Sequence, residues 1–388
     1  MTAPRDEFDK KTVTLLALAH LTHDSYPAFI GVMLPVLIPK FGISLAAAGV
    51  LSSGIRFTTS IQPVLGYWAD RTDARWWVVI PPTTTAALMS LLGLAPTYSV
   101  AFVLLLAAGL SHASFHPASA AMATRAAGPR WGKAASYYMT GGELGRALGP
   151  LAIAGILAGV GLEWSWVALF PGLVMSLLLY RRFRGINGST STVRPGALWP
   201  ALRARGRITV WLTAVMFLRN VTNVSLVVFL PTFAASAGTG ILVGGLAVTL
   251  YEIGGTLGAF TGGTLSDVLG RKVVLAAGVL IGVPLLGSAL ATGPTPLGLI
   301  LLALGGFAFL SGHSVQLALM QELFPDNRST AVGITYMMSA LGAIVATIGV
   351  GAVGDALGIR TALLIGVGSA ACAIPFIMAL PKRLPTSL

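Results

Sequence analysis

Apolar stretches long enough to cross a bilayer recur along the whole of this 388-residue chain. A hydrocarbon core of about 30 Å needs about 20 helical residues. Twelve segments fit, at 12–39, 44–69, 76–95, 98–124, 133–160, 163–181, 208–235, 240–266, 272–292, 296–323, 329–354 and 360–380. Charged side chains make up only 10% of the chain, against about 25% in a soluble domain. Lipid offers the backbone no hydrogen-bond partner, so such segments must be helical. The expected fold class is all-α integral membrane, with twelve transmembrane helices.

The net charge of +12 raises the question of nucleic acid, and its placement answers it. Of 25 Lys and Arg residues, Arg56, Arg146 and Arg219 fall within segments, Lys40 and Arg360 lie on one side, and the remaining 20 lie on the other. That asymmetry is the positive-inside pattern and puts both termini in the cytoplasm. The expected partners of the charge are anionic lipid head groups, not nucleic acid. The opening "MTAPRDEFDKK" is polar and the helix after it exceeds a signal h-region, so no cleavable leader is expected. Cys372 is the only cysteine; it is expected to pack as a small apolar residue in the last helix.

Residues 184–206 are rich in Arg, Gly, Ser and Thr and read as a cytoplasmic linker, with a short interfacial helix around 197–205. The linker separates an N-terminal bundle, 1–183, from a C-terminal bundle, 207–388. An internal repeat relates them. "GYWADRTDAR" (66–75) and "GGTLSDVLGRK" (262–272) end the second and eighth helices, and one offset of 197 positions carries Gly66 onto Gly263, Asp70 onto Asp267 and His116 onto His313. Duplication of this kind marks a secondary transporter with its site between the repeats.

These residues resemble the major facilitator superfamily, whose signature after helices two and eight is Gly, three residues, Asp and a basic turn. The resemblance implies two pseudo-symmetric six-helix bundles and a cytosolic conformational latch at Gly66, Asp70 and Arg71, matched by Gly263, Asp267 and Arg271. The first copy departs from the pattern, with Asp73 and Ala74 where Gly and a basic residue are usual. Within that superfamily the chain is similar to the fosmidomycin-resistance exporters through "HLTHD" (20–24), "QPVLGYWAD" (62–70), "FHPASA" (115–120), "GGELGRALGP" (141–150) and "QELFP" (321–325). That similarity implies proton-driven export of a small polar or amphiphilic compound across a bacterial inner membrane. The run at Gly145, Gly149 and Pro150 resembles the antiporter motif; small residues four apart allow close helix contact, and Pro150 can kink the helix.

Ionisable groups inside apolar helices are expensive and call for a function or a partner. At about 1.5 Å per residue, Asp24, Arg56, His112, His116, Arg146, Arg219 and Glu252 fall roughly 14–22 Å from the cytoplasmic ends of their segments. They are expected to converge on one central chamber. His20 and Asp24, at i and i+4, can share a face and a proton; a fixed polar pin between helices is the alternative. Pro117 cannot donate to the carbonyl of Ala113, so that oxygen is expected to be open to a side chain or water beside His116. Glu143 and Arg146 can neutralise each other at i,i+3, or Arg146 can reach Glu252. The proton path is assigned to Asp24, His20, His116 and Glu143. Substrate contacts are assigned to Arg146, Arg219, Arg56, His112, Glu252, Asn223, His23 and His313.

His112 and His116 share a face with His20, His23 and Asp24 nearby, a set able to hold a zinc-like ion. With no HExxH glutamate and no cysteine cluster, neither a metal nor any cofactor is expected. No phosphate-binding loop or dinucleotide fingerprint occurs. The reading is therefore not an enzyme but a monomeric secondary transporter using the proton gradient, an antiporter that exports a small polar or anionic compound, such as a phosphonate-type antibiotic. The competing cargos are a metal chelate, a sugar or organic acid, and a lysolipid. A membrane-embedded metalloenzyme and a passive channel are the readings from other classes.

Overall fold

A computed structural model describes residues 8–69, 72–184, 198–324 and 328–381. Its helices are α1 (Lys10–Ser25), α2 (Phe29–Phe41), α3 (Leu45–Thr59), α4 (Gln62–Ala69), α5 (Trp76–Ser90), α6 (Tyr98–Ala126), α7 (Trp131–Val160), α8 (Leu169–Phe183), α9 (Leu198–Ser236), α10 (Ile241–Leu269), α11 (Arg271–Thr292), α12 (Pro296–Leu323), α13 (Arg328–Leu357), α14 (Ile359–Gly368) and α15 (Ile374–Ala379). Among the described residues there is no strand. The all-α membrane class is what the apolar segments dictate.

Among the described residues, eleven helical segments are long and apolar enough to span. Eleven of the twelve expected segments meet them, with ends shifted by a few residues. The exception is 44–69, which is not one helix. It breaks after Thr59 and restarts at Gln62, where Pro63 sits in the first turn and its missing N–H costs nothing. The Oγ atoms of Thr59 and Ser60 fold back onto the carbonyls of Arg56 and Phe57 and so satisfy the broken end.

Prolines also segment the outer spans. The first span bends through a 3₁₀ turn at Tyr26–Ala28, with Pro27 in that turn's opening positions. The last passes through a 3₁₀ stretch at Ser369–Ala373 before Pro375 opens α15. Cys372 lies in that stretch and is exposed, against the expectation of packing: Ala370 and Ala373 take the buried side of the turn. The separate interfacial helix expected at 197–205 is absent as such. Leu198 already belongs to α9, which continues unbroken for 39 residues.

The chain packs as two compact units. One comprises Met1–Gly42 and Leu51–Thr192, the other Ile43–Val50 and Val193–Leu388. In the first, Leu16, Phe115, Tyr138, Leu179 and Phe183 form a buried core joining α1, α6, α7 and α8. Asp9 caps α1 by accepting the Thr12 amide at 3.1 Å, and it also pairs with Arg182 at 2.6 Å. In the second, the Asp355 carboxylate near the end of α13 accepts the amides of Leu45 and Ala46, at 2.8 and 2.9 Å. Those are orphan donors of the first turn of α3.

Glycines bring helices together at backbone distance. On α7, Gly141, Gly145 and Gly149 lie against the carbonyls of Ala17, Leu21 and Ser25 on α1. A methyl group at those positions would stand 2.1, 2.2 and 2.3 Å from the oxygens. Both series step by four residues, so each glycine meets a carbonyl one turn further along. On α10, Gly254, Gly258 and Gly262 repeat the arrangement against Ala303, Phe307 and Ser311 of α12. Pro150 lies inside α7 without ending it.

Candidate functional site

The glycine contact fixes α1 against α7, and a polar hub forms where α6 joins them. Its centre is Asp24, which is 5% exposed. His20 Nε2 lies 3.2 Å from Asp24 Oδ2, and His116 Nε2 lies 3.2 Å from Oδ1. Both contacts are within ion-pair distance. Arg146 Nη1 stands 3.8 Å from Oδ2, while Nη2 of the same side chain is bonded to Glu143. His20, Asp24 and His116, assigned together from the sequence, are therefore in contact. Of the two partners considered for Arg146, its helical neighbour Glu143 is one it meets.

The other face of each ring fixes what Nε2 can carry. His20 Nδ1 is 2.8 Å from the carbonyl of Tyr138, and His116 Nδ1 is 3.0 Å from the carbonyl of His112. A carbonyl only accepts, so both Nδ1 atoms must be the donors. In a neutral ring Nε2 then holds a lone pair facing a carboxylate, which repels. Adding a proton at Nε2 turns that contact into an attractive, charge-assisted one. Asp24 thus sits between two rings whose only attractive state toward it is cationic.

Two further imidazoles complete the cluster. His23 is fully buried and His112 half-buried. Their rings stack 4.8 Å apart at 12°, and His23 Nε2 reaches the His112 carbonyl at 3.3 Å. The bonds of His23 and His116 therefore both go to the His112 carbonyl, not to the Ala113 oxygen beside Pro117. Side chains on a helix lean toward its N-terminus, which places the His116 ring over the carbonyl four residues earlier.

Sequence reasoning missed Tyr138, which holds His20 in two ways. Its ring stacks on the imidazole with centroids 4.1 Å apart, and its backbone carbonyl takes the Nδ1 proton. Its hydroxyl lies 2.6 Å from Ser119 Oγ. Phe115 packs at 4.4 Å on His23 and 6.3 Å on His20. An aromatic residue five positions before Glu143 was the only available signal.

The second unit carries its own buried cation. Arg219 on α9 donates through Nη2 to the Phe309 carbonyl, and its guanidinium lies 4.4 Å from the Phe309 ring centroid. Its Nε and Nη1 are buried without partners. Nearby on the same helix, Asn223 Oδ1 accepts from the Tyr251 hydroxyl at 2.8 Å, and Glu252 is buried beside Tyr251 in sequence on α10. Arg56 is half-buried on α3, and His313 is exposed on α12. The imidazole cluster draws only on the first unit.

Of the two latch motifs, the second is visible. Arg271 pairs with Asp267 at 2.7 Å and with Glu322 at 2.9 Å, while Gly263 lies within α10. Of the first, Gly66 lies within α4, and Asp70 and Arg71 are outside the described residues.

The family model for the Major Facilitator Superfamily matches residues 16–244 and 234–387. The chain belongs to the Major Facilitator Superfamily. It is 27% identical over 370 residues to the MFS-type transporter YfnC of Bacillus subtilis (strain 168), covering 90% of this chain and 88% of that one. It is 26% identical over 342 residues to the fosmidomycin resistance protein of Escherichia coli (strain K12), covering 85% and 84%. Its fold matches an inward-facing, unoccupied bacterial homologue of the human lysosomal transporter Spinster, with a TM-score of 0.81, 16% identity and coverage of 96% and 97%. It also matches the nucleoside transporter NupG, with a TM-score of 0.76, 16% identity and coverage of 95% and 98%. A member of this superfamily is a multi-pass membrane transporter, not an enzyme.

Proposed function

We propose that this transporter is a proton-coupled exporter of a small polar or anionic compound, working by alternating access in the plasma membrane with both termini cytoplasmic. The observation that carries the reading is Asp24 between His20 Nε2 and His116 Nε2, with both Nδ1 protons committed to backbone carbonyls. Buried ionisable groups arranged this way are what a proton relay in a transporter requires. Likeness to the fosmidomycin resistance protein supports export of a compound foreign to the cell.

The sign of coupling follows from which group the cargo takes. An anionic group that draws Arg146 away leaves Asp24 dependent on the protonated rings, so cargo and proton occupy the site together. A donor or cationic group that takes Asp24 itself displaces the proton, which is exchange. Export by antiport therefore requires a cargo whose donor or cationic group reaches Asp24. The Arg271–Asp267–Glu322 cluster serves as the cytosolic latch.

Flux in proteoliposomes under an imposed pH gradient tests this. Gradient-driven accumulation is expected in the wild type and lost in Asp24→Asn. Accumulation by the wild type that is indifferent to the gradient would sink the proposal.

A further inference from the structure

Three imidazoles in the first unit stand close enough to share one ion, a reading that the spacing of His112 and His116 raised and the lack of any other metal motif set aside. One ring nitrogen from each of His23, His112 and His116 lies within 4.8 Å of the other two, and a second such group joins His116 to His20 and Asp24. We propose that His23, His112 and His116 form a binding site for a divalent first-row transition-metal ion of the Zn²⁺ and Co²⁺ class, with Asp24 as the adjoining carboxylate.

The case rests on where the ring protons and lone pairs are. His23 spends Nε2–H, and His116 spends Nδ1–H, on the same oxygen, the carbonyl of His112. A metal-binding imidazole characteristically donates its remote N–H to a carbonyl, which sets the tautomer and aims the basic nitrogen. Here one carbonyl does so for two rings. The nitrogen left bare on His23, Nδ1, is buried with no partner, and so is Nδ1 of His112. Two parallel imidazoles, each with an unspent buried nitrogen, gain nothing from each other and would both gain from a cation.

Geometry and chemistry agree on the class of ion. Zinc–nitrogen bonds of about 2.0–2.1 Å in a tetrahedron put ligand atoms about 3.4 Å apart. The rings thus need to close by about 1.5 Å or less, a movement within reach of side-chain rotation. Neutral imidazoles suit Zn, Co, Ni and Cu, while Mg and Ca prefer oxygen donors. Asp24, already facing His116, supplies negative charge at the same point. Binding would compete with the proton on His116, so a metal ion or metal-bearing cargo is of the kind that exchanges with protons here.

The inference stands on the imidazoles alone and holds whatever gradient drives transport, so its test uses no gradient. Full-length protein carrying no polyhistidine tag, stripped with chelator in detergent, is titrated with Co²⁺ and then with Zn²⁺. One equivalent of Co²⁺ is expected, with the intense visible bands of a four-coordinate ion, displaced by Zn²⁺ and not by Mg²⁺ or Ca²⁺. H23Q and H112Q are expected to weaken binding by about tenfold or more, while C372S, which removes the lone thiol, binds as the wild type does. Should either histidine variant elute as aggregate, the wild-type stoichiometry and spectrum decide. No saturable equivalent in the wild type, or unchanged affinity in a monodisperse H112Q, overturns the proposal.

Discussion

Tyr138 holds His20 from two sides at once, stacking its ring on the imidazole at 4.1 Å and accepting the Nδ1 proton on its own carbonyl at 2.8 Å. The carbonyl contact survives any substitution at that position, and the stacking does not. Tyr138→Phe keeps the ring and loses the hydroxyl contact to Ser119. It is expected to cost about 1 kcal/mol, read as a small fall in the unfolding midpoint with gradient-driven flux retained. Tyr138→Ala frees the His20 ring and is expected to cost about 3–5 kcal/mol. The pH profile of flux should also flatten.

Gly145 and Gly155 lie on the same helix and separate the packing role from the backbone one. A methyl on Gly145 meets the Leu21 carbonyl, whereas Gly155 has nothing within 4 Å of the added carbon. Gly145→Ala is expected to destabilise by about 1–3 kcal/mol or more. Gly155→Ala should be neutral or stabilising by about 0.5–1 kcal/mol. Thermal unfolding in detergent compares the pair, and equal midpoints would refute close packing of α1 on α7.

The ion pairing of Arg146 with both Glu143 and Asp24 leads to a kinetic expectation. Glu143→Gln frees the guanidinium to move fully onto Asp24. The carboxylate is then held more firmly by the guanidinium, so the maximal rate of gradient-driven flux should fall several-fold. Initial rates in proteoliposomes check this, and an unchanged maximal rate would contradict it.

Arg219 has two unspent buried donors and a carbonyl for its third contact. Arg219→Met is expected to raise the half-saturating concentration of an anionic cargo by about tenfold, the loss of one charged hydrogen bond. The unfolding midpoint should move little, since removing a buried charge offsets the lost contact. A large fall in midpoint with unchanged saturation would assign Arg219 to structure alone.

Asp355 accepts two amides at the opening of α3. Asp355→Ala is expected to cost about 1 kcal/mol, the usual worth of a cap. Asp355→Asn, which still accepts, should cost less. Hydrogen exchange at Leu45 and Ala46 reads the effect directly.

Much of this was legible in the chain because apolar length is a one-dimensional property. Among the described residues eleven segments are helices long and apolar enough to span, and the twelfth, 44–69, is helical in two pieces interrupted at Ser60 and Ile61. His20 and Asp24 were legible as a pair because i,i+4 spacing lies within one helix. Tyr138, Phe115 and the shared His112 carbonyl were not, because they depend on how α6 and α7 are rotated against α1. The antiporter-like run pointed to Gly145 and Gly149, but only the four-residue stepping of the α1 carbonyls shows what they touch.

That stepping also governs how the pair can move. Glycines seated on carbonyls at one-turn intervals act like teeth in a rack, so α1 and α7 either keep their register or slip by a whole turn of about 5.4 Å. The separation between Asp24 and Arg146 is therefore gauged by three residues with no side chains at all. A transporter built this way has no means of tuning that gap gradually. Its charges can be rearranged by rotating side chains, while the spacing between their helices stays quantised.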